Sequence, residues 1–241
     1  MTARRVTQHI VAMGGGGFSM EPRNTALDDF VLRLTGKRRP RVCFLPTASG
    51  DSKGYIARFE RAFRQRAIIS HLALFRRTVI DLRKFLLAQD VIYVGGGNTA
   101  NALDIWRRHG VDTVLRAAWR EGVVLTGLSA GMICWFECSV TDSFGPLAPL
   151  QDGLGLLPGS ACPHYDGEEQ RRPAYHRFVC NVLPGGYAAD DGAALHFVGR
   201  RLTEVVASRP TARAYRVELV NGKIVETILP ARVLGKKRQT S

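Results

Sequence analysis

The stretch of this sequence that is most suggestive of chemistry is Gly127-Leu128-Ser129-Ala130-Gly131, a serine between two glycines at the end of an apolar run. In a Gly-x-Ser-x-Gly pentapeptide the glycines leave room for a sharp turn that exposes the serine hydroxyl. The turn also points the N–H of Ala130 toward the negative charge that develops when the hydroxyl attacks a carbonyl. Small residues are common in turns, so a nucleophilic role needs partners elsewhere in the chain.

The best candidate for a base that activates this hydroxyl is His164. It follows a short apolar stretch in Ala161-Cys162-Pro163-His164-Tyr165, and we expect it at the end of a strand, near the edge that holds the serine. A neutral imidazole accepts a proton near pH 7. The residues alone leave open the alternative of a hydrogen-bonded loop histidine.

A third group, a carboxylate, would hold the imidazole in the required tautomer. Asp142 lies between the serine and the histidine in the chain, although a turn-forming role also suits its Thr-Asp-Ser context. Spacing alone does not choose between Asp142 and four rivals, which are Asp166, Glu168, Asp190 and Asp191.

A second glycine loop, Gly95-Gly96-Gly97-Asn98, follows an apolar run and could supply another N–H to an anion. Neither this loop nor Gly14-Gly15-Gly16-Gly17 matches Gly-x-Gly-x-x-Gly or precedes a Walker lysine, which disfavours phosphate binding. Cys134 and Cys138 are four apart on an expected helix behind the serine, but no histidine pair accompanies them. We therefore expect reduced thiols, no metal and no cofactor.

The elements that must position these residues alternate between short apolar strands and helices. The patterns predict strands at 9–13, 41–45, 68–74, 91–94 and 123–126, and helices at 25–34, 55–66, 81–88, 99–108 and 111–121. This order is typical of an α/β fold in three layers, a mostly parallel sheet with helices on both faces. The glycine loops and the serine turn all follow strands, so they should gather at one edge of the sheet.

The last third of the chain has a different pattern. It predicts a helix at 174–182 and strands at 193–198, 203–207, 214–220 and 223–229, with a hairpin turn at Asn221-Gly222. We interpret this part as a C-terminal antiparallel extension of one domain that spans residues 1–241. The tails, 1–5 and 235–241, are expected to be disordered.

Composition and charge restrict the class of protein. The chain has 241 residues, a formal net charge of +13 and no apolar run of the roughly 20 residues that a membrane helix needs. The N-terminal apolar stretch is too short for a signal peptide, so we expect a cytoplasmic protein. The arginines are scattered and no recognition motif is present, which argues against specific nucleic-acid binding.

Taken together, the motifs resemble the peptidase E and cyanophycinase group of serine peptidases, whose fold is class I glutamine amidotransferase-like. The resemblance rests on Val94-Gly95-Gly96-Gly97-Asn98-Thr99, Gly127-Leu128-Ser129-Ala130-Gly131, Thr141-Asp142 and Cys162-Pro163-His164-Tyr165, in that order. It implies Ser129 as nucleophile, His164 as general base, Asp142 as the acid of the triad, and N–H groups of Gly97 and Ala130 as the oxyanion hole.

The resemblance also implies a substrate and its contacts. The substrate would be a small peptide, dipeptides included, cleaved through an acyl-enzyme. Asn98 and Asp191 would line its pocket, and Arg171 is a candidate to pair with a substrate carboxylate. A homodimer is compatible with the sequence. Two alternatives stay open, an α/β-hydrolase-type esterase and a non-catalytic binding domain of the same fold.

Overall fold

The computed structural model describes residues 6–235, which contain fourteen β-strands and eight α-helices. The strands are β1 (His9–Met13), β2 (Arg41–Leu45), β3 (Ile68–His71), β4 (Val91–Val94), β5 (Val124–Leu128), β6 (Phe136–Thr141), β7 (Ala148–Leu150), β8 (Leu157–Cys162), β9 (Gly186–Ala189), β10 (Ala193–Val198), β11 (Arg201–Ala207), β12 (Ala214–Val220), β13 (Lys223–Leu229) and β14 (Ala231–Val233). The helices are α1 (Gly17–Met20), α2 (Ala26–Leu34), α3 (Lys53–Phe63), α4 (Leu82–Leu87), α5 (Thr99–His109), α6 (Val111–Arg120), α7 (Ala130–Ile133) and α8 (Arg171–Asn181).

The larger sheet has eight strands in the order β14-β11-β10-β1-β5-β4-β2-β3. Strands β1 to β5 run parallel to one another, whereas β10 is antiparallel to β1 and β11 is antiparallel to β10. The central parallel strands β1, β2, β4 and β5 are short and almost wholly buried, as expected when helices cover both faces, whereas the edge strand β3 is partly exposed. The predicted α/β class with a mostly parallel sheet is confirmed.

Alternate residues of β1 enter two separate cores, which shows the three layers. Ile10 and Ala12 pack in one cluster with side chains of α5 and α6, and Val11 and Met13 pack in another with α2 and α3. Successive side chains of a strand point to opposite faces, so both faces of the sheet are covered. The carboxyl ends of β1, β4 and β5 are left free to carry loops.

The second sheet has six strands in the order β13-β12-β9-β8-β6-β7. The sequence predicted its late strands, β12 and β13, within the antiparallel extension, and a strand that ends near His164, which is β8. The expected helix behind the serine is wrong, because α7 has four residues and the chain then enters β6. The run Ile133-Cys134-Trp135-Phe136 is apolar without interruption, and such a run does not separate helix from strand by its periodicity.

Two further sequence expectations can be compared with the described residues, and a third falls almost wholly outside them. All five cysteines are unpaired, three of them buried, as predicted for reduced thiols. Within residues 6–235, no helix is both long enough and apolar enough to cross a membrane. The tails predicted to be disordered, 1–5 and 235–241, lie outside the described residues except for Gly235.

Candidate active site

Ser129 lies at a strained turn between β5 and α7, with φ 56° and ψ −115°. A positive φ is uncommon for any residue other than glycine. A Cβ at Gly127 would lie 2.5 Å from the carbonyl oxygen of Val94, and one at Gly131 would lie 2.3 Å from it. The two glycines are therefore needed because β4 approaches the turn closely. The partly exposed serine has the geometry of a nucleophile elbow.

The loop after β4 passes directly over this serine. A Cβ at Gly96 would lie 3.3 Å from the Cβ of Ser129, while Gly97 has φ 134° and is pressed against the carbonyl of Ala48. The N–H groups of Gly97 and Ala130 donate no hydrogen bond within residues 6–235. Two backbone donors are thus available next to the hydroxyl, as an oxyanion hole requires.

The imidazole of His164 is held by a carboxylate other than the one that the sequence favoured. Its Nδ1 lies 2.6 Å from Oδ1 of Asp191, and the two side chains are only 12% and 23% exposed. A Cβ at Gly15 would lie 1.9 Å from Oδ1 of Asp191, and a Cβ at Gly167 would lie 2.3 Å from its Oδ2. The carboxylate fits between these two positions only because both are glycines. Its contact with Nδ1 fixes the orientation of the imidazole ring.

Three successive carbonyls at the end of β1 anchor the serine, the histidine and the aspartate. The carbonyl of Met13 accepts a hydrogen bond from the N–H of Ser129, and that of Gly14 accepts one from the N–H of His164, both at 3.2 Å. The carbonyl of Gly15 accepts a hydrogen bond of 3.1 Å from the N–H of Gly192, which follows Asp191 in the chain. Segments far apart in the chain therefore meet on adjacent peptide groups.

No hydrogen bond joins the hydroxyl of Ser129 to the ring of His164, although both residues are described. In serine hydrolases this contact is often long before the substrate binds and tightens in the Michaelis complex. With Nδ1 directed at a carboxylate, the other ring nitrogen is the one left to take up the hydroxyl proton.

Asp142 lies on the wall of a pocket beside the serine and contacts Arg171 rather than His164. The distance from Asp142 Oδ2 to Arg171 Nη2 is 3.5 Å, and Glu168 Oε2 accepts a hydrogen bond of 2.7 Å from Nε of the same arginine. The pocket has a volume of about 290 Å³. The sequence analysis placed Asp142 beside the imidazole and Asp191 in the pocket. The structure has the reverse arrangement, with Asp142 in the pocket lining and Asp191 against the imidazole.

Asn98 also lines this pocket, but its side chain is occupied by the protein itself. Its Oδ1 accepts a hydrogen bond from the N–H of Asn101 and so caps α5, and its Nδ2 donates to the carbonyl of Ser143. The side chain of Arg171 is buried, at 3% exposure. Both residues lie where the sequence predicted substrate contacts, but their polar groups already have partners.

Two ionisable groups next to the imidazole and its aspartate have shifted pKa values. Burial raises the pKa of Asp190 to about 6, and its Oδ1 has no hydrogen-bond partner within the described residues. Burial and the hydrogen bond to Glu226 raise the pKa of Tyr165 well above that of free tyrosine. Among residues 6–235, no three His, Cys, Asp or Glu side chains are placed to hold a metal ion.

Comparison with known proteins points to one family. Residues 10–205 match peptidase family S51. A protein from Bacillus subtilis (strain 168) named uncharacterized peptidase YgaJ is 56% identical over 230 residues, which cover 95% of this chain and all of that protein. Peptidase E from Pasteurella multocida (strain Pm70) is 29% identical over 190 residues, or 73% of this chain and 77% of the relative.

A solved structure shows the same fold. The crystal structure of a peptidase from an acI-B1 actinobacterium superposes with a TM-score of 0.68 and 17% sequence identity. The superposition covers 94% of this chain and 96% of that one, so the likeness includes both sheets.

Proposed function

The chain belongs to peptidase family S51 and is a serine-type peptidase, and from this premise we propose that it hydrolyses short peptides, dipeptides among them, with Ser129 as the nucleophile. Membership of a peptidase family decides against the α/β-hydrolase-type esterase and the non-catalytic domain. The cytoplasmic location stays a prediction from the sequence.

In the proposed reaction, His164 removes the proton of the Ser129 hydroxyl as its oxygen attacks the peptide carbonyl. Asp191 accepts the hydrogen bond of the opposite ring nitrogen and stabilises the imidazolium that forms. The N–H groups of Gly97 and Ala130 stabilise the oxyanion. Proton transfer from His164 to the leaving amine gives an acyl-enzyme and the first product.

Hydrolysis of the acyl-enzyme repeats these steps with water as the nucleophile. His164 deprotonates the water, the same two N–H groups stabilise the second oxyanion, and the serine oxygen leaves with the proton. The observation that carries the proposal is the 2.6 Å contact between Nδ1 of the histidine and Oδ1 of Asp191, anchored on the strand that also holds the serine.

A test of this mechanism combines turnover with active-site labelling. Replacement Ser129→Ala should lower kcat on a dipeptide by about 10³-fold or more and abolish labelling by a fluorophosphonate probe. The variant His164→Ala should also lose labelling, because the hydroxyl loses its base. Replacement Ser70→Ala is a matched control, since that hydroxyl lies on the edge strand β3, and its contact with Oε1 of Gln89 is long, at 3.4 Å. Full turnover by the Ser129→Ala variant would refute the mechanism.

A further inference from the structure

The pocket beside the nucleophile has an unusual charge balance for a site whose arginine was expected to pair with a substrate carboxylate. It is lined by Gly97, Asn98, Ser129, Asp142, Ser143, Glu168 and Arg171. Its volume of about 290 Å³ is at the small end of ligand pockets, which suits a single side chain. The charged members of this lining are two carboxylates and one guanidinium.

The guanidinium of Arg171 has oxygen partners on all of its nitrogens. Nε donates to Glu168 Oε2 at 2.7 Å, Nη2 lies 3.5 Å from Asp142 Oδ2, and Nη1 donates to the carbonyl of Val140 at 3.4 Å. With 3% of its side chain exposed, the arginine has no free edge for a bidentate contact with a substrate carboxylate.

The two carboxylates are more accessible than the arginine that they flank. Asp142 is 59% and Glu168 is 47% exposed, and Asp142 Oδ1 and Glu168 Oε1 make no hydrogen bond within the described residues. One guanidinium balances one of the two carboxylates, so the lining has a net charge of −1. A negative group that enters the pocket is repelled by the accessible oxygens, and a positive group is attracted.

We propose that this pocket binds a positively charged side chain, lysine or arginine, on the residue whose carbonyl Ser129 attacks. The proposal rests on the proposed peptidase function and deepens it by naming the substrate class. Asp142 and Glu168 determine the preference, and Arg171 is the structural ion that holds both carboxylates at the wall. An aspartyl side chain in the same place is a poor substrate.

The preference can be measured with three dipeptides that differ only in the first side chain, namely lysyl-leucine, norleucyl-leucine and aspartyl-leucine. All three have a free α-amino group, so that charge is constant. We expect kcat/KM for the lysyl peptide to exceed that for the norleucyl peptide by about tenfold, because partly exposed charge pairs are screened by water. The aspartyl peptide should fall below the norleucyl one.

Charge-removing variants of the wall test which residues are responsible. Asp142→Asn or Glu168→Gln alone should bring the lysyl-to-norleucyl ratio close to one, because each leaves a neutral lining. The double variant leaves only the charge of Arg171 and should prefer the aspartyl peptide over the lysyl one. Glu169→Gln is the matched control and should keep the wild-type ratio, since Glu169 is exposed and makes no ion pair or hydrogen bond within residues 6–235. If the double variant fails to fold, the ratios within each single variant still decide the question.

Several results would overturn the proposal. Wild-type protein that cleaves the aspartyl peptide as fast as the norleucyl one would refute it. If kcat/KM in the single variants falls equally for all three peptides, the carboxylates bind the α-ammonium that the peptides share and not the side chain. If Ser129 is labelled by the fluorophosphonate and cleavage shows no charge preference, only this proposal fails. If Ser129 is not labelled and no peptide is cleaved, the proposed function fails and this proposal with it.

Discussion

The replacement Asp191→Asn tests which carboxylate serves the imidazole. Asparagine has almost the same shape as aspartate, so the crowding by neighbouring glycines does not change. The amide cannot accept the Nδ1–H hydrogen bond in the same way and favours the tautomer that carries its proton on the nitrogen facing Ser129. The histidine would then be unable to take the hydroxyl proton.

The magnitude follows from this loss of the correct tautomer. The contact is short, at 2.6 Å, and both side chains are largely buried, which makes it a strong charge-assisted bond. The same replacement in a serine-protease triad costs about 10⁴ in kcat. We expect about 10³- to 10⁴-fold here, which corresponds to roughly 4 to 5.5 kcal/mol of transition-state stabilisation at 1.36 kcal/mol per decade.

The assay is kcat on a dipeptide that the wild-type protein cleaves, with thermal unfolding to verify that each variant is folded. Asp104→Asn is the matched control, because Asp104 is 79% exposed on α5 and contacts only Arg107, at 3.5 Å. Asp142→Asn should lower kcat on a norleucyl peptide by less than about tenfold, as expected for a partly exposed residue in the pocket wall. A loss of about 10³-fold in Asp142→Asn, with near-normal kcat in Asp191→Asn, would refute the reasoning and return the triad acid to position 142.

Three other perturbations follow from the geometry. Gly15→Ala would place a Cβ 1.9 Å from Oδ1 of Asp191 and displace the carboxylate, so kcat should fall about a hundredfold, and unchanged kcat in the folded variant would contradict the assigned contact. Burial raises the pKa of Asp28 from 3.8 to about 7, so the folded chain binds this proton more tightly than the unfolded chain does. The stability that results is present at pH 4 and is lost as the pH rises to 7. In urea unfolding, the free energy of unfolding of Asp28→Asn should therefore rise relative to that of the wild type by up to about 4 kcal/mol between pH 4 and pH 7. A difference between the two proteins that does not change with pH would contradict this prediction. Gly54→Ala, in the exposed face of α3, should raise the free energy of unfolding by about 0.5–1 kcal/mol and Tm by about 1–4 °C, and a lower Tm would speak against an unstrained helical position.

The sequence predicted most of the larger sheet, because its strands are short apolar runs bounded by glycine or proline. Strands β1, β2, β4 and β10 have the predicted bounds. The region behind Ser129 was misassigned because an uninterrupted apolar run lacks a distinguishing period. With β6 in the place of the expected helix, Asp142 follows a strand of the smaller sheet and is directed to the pocket wall.

The role of Asp191 could not be derived from spacing, because it depends on which strands are neighbours. Strand β10 is antiparallel to β1, so the residues that precede β10 lie at the end of β1, close to Ser129. The available signal was the loop Gly14-Gly15-Gly16-Gly17, whose absence of side chains indicates close approach by another segment. A sequence without strand order does not identify that segment as residues 190–192.

The anchoring of three distant segments on consecutive carbonyls of residues 13–15 has a consequence for how the protein matures. The serine, the histidine and the aspartate are separated by dozens of positions, so a partly folded chain has no activated hydroxyl. Hydrolytic activity therefore requires residues 13–15 to be paired with all three segments, and a chain in which the first strand is not docked cannot cleave the peptides around it. Recovery of turnover after dilution from denaturant therefore reports when all three segments are docked on the end of β1.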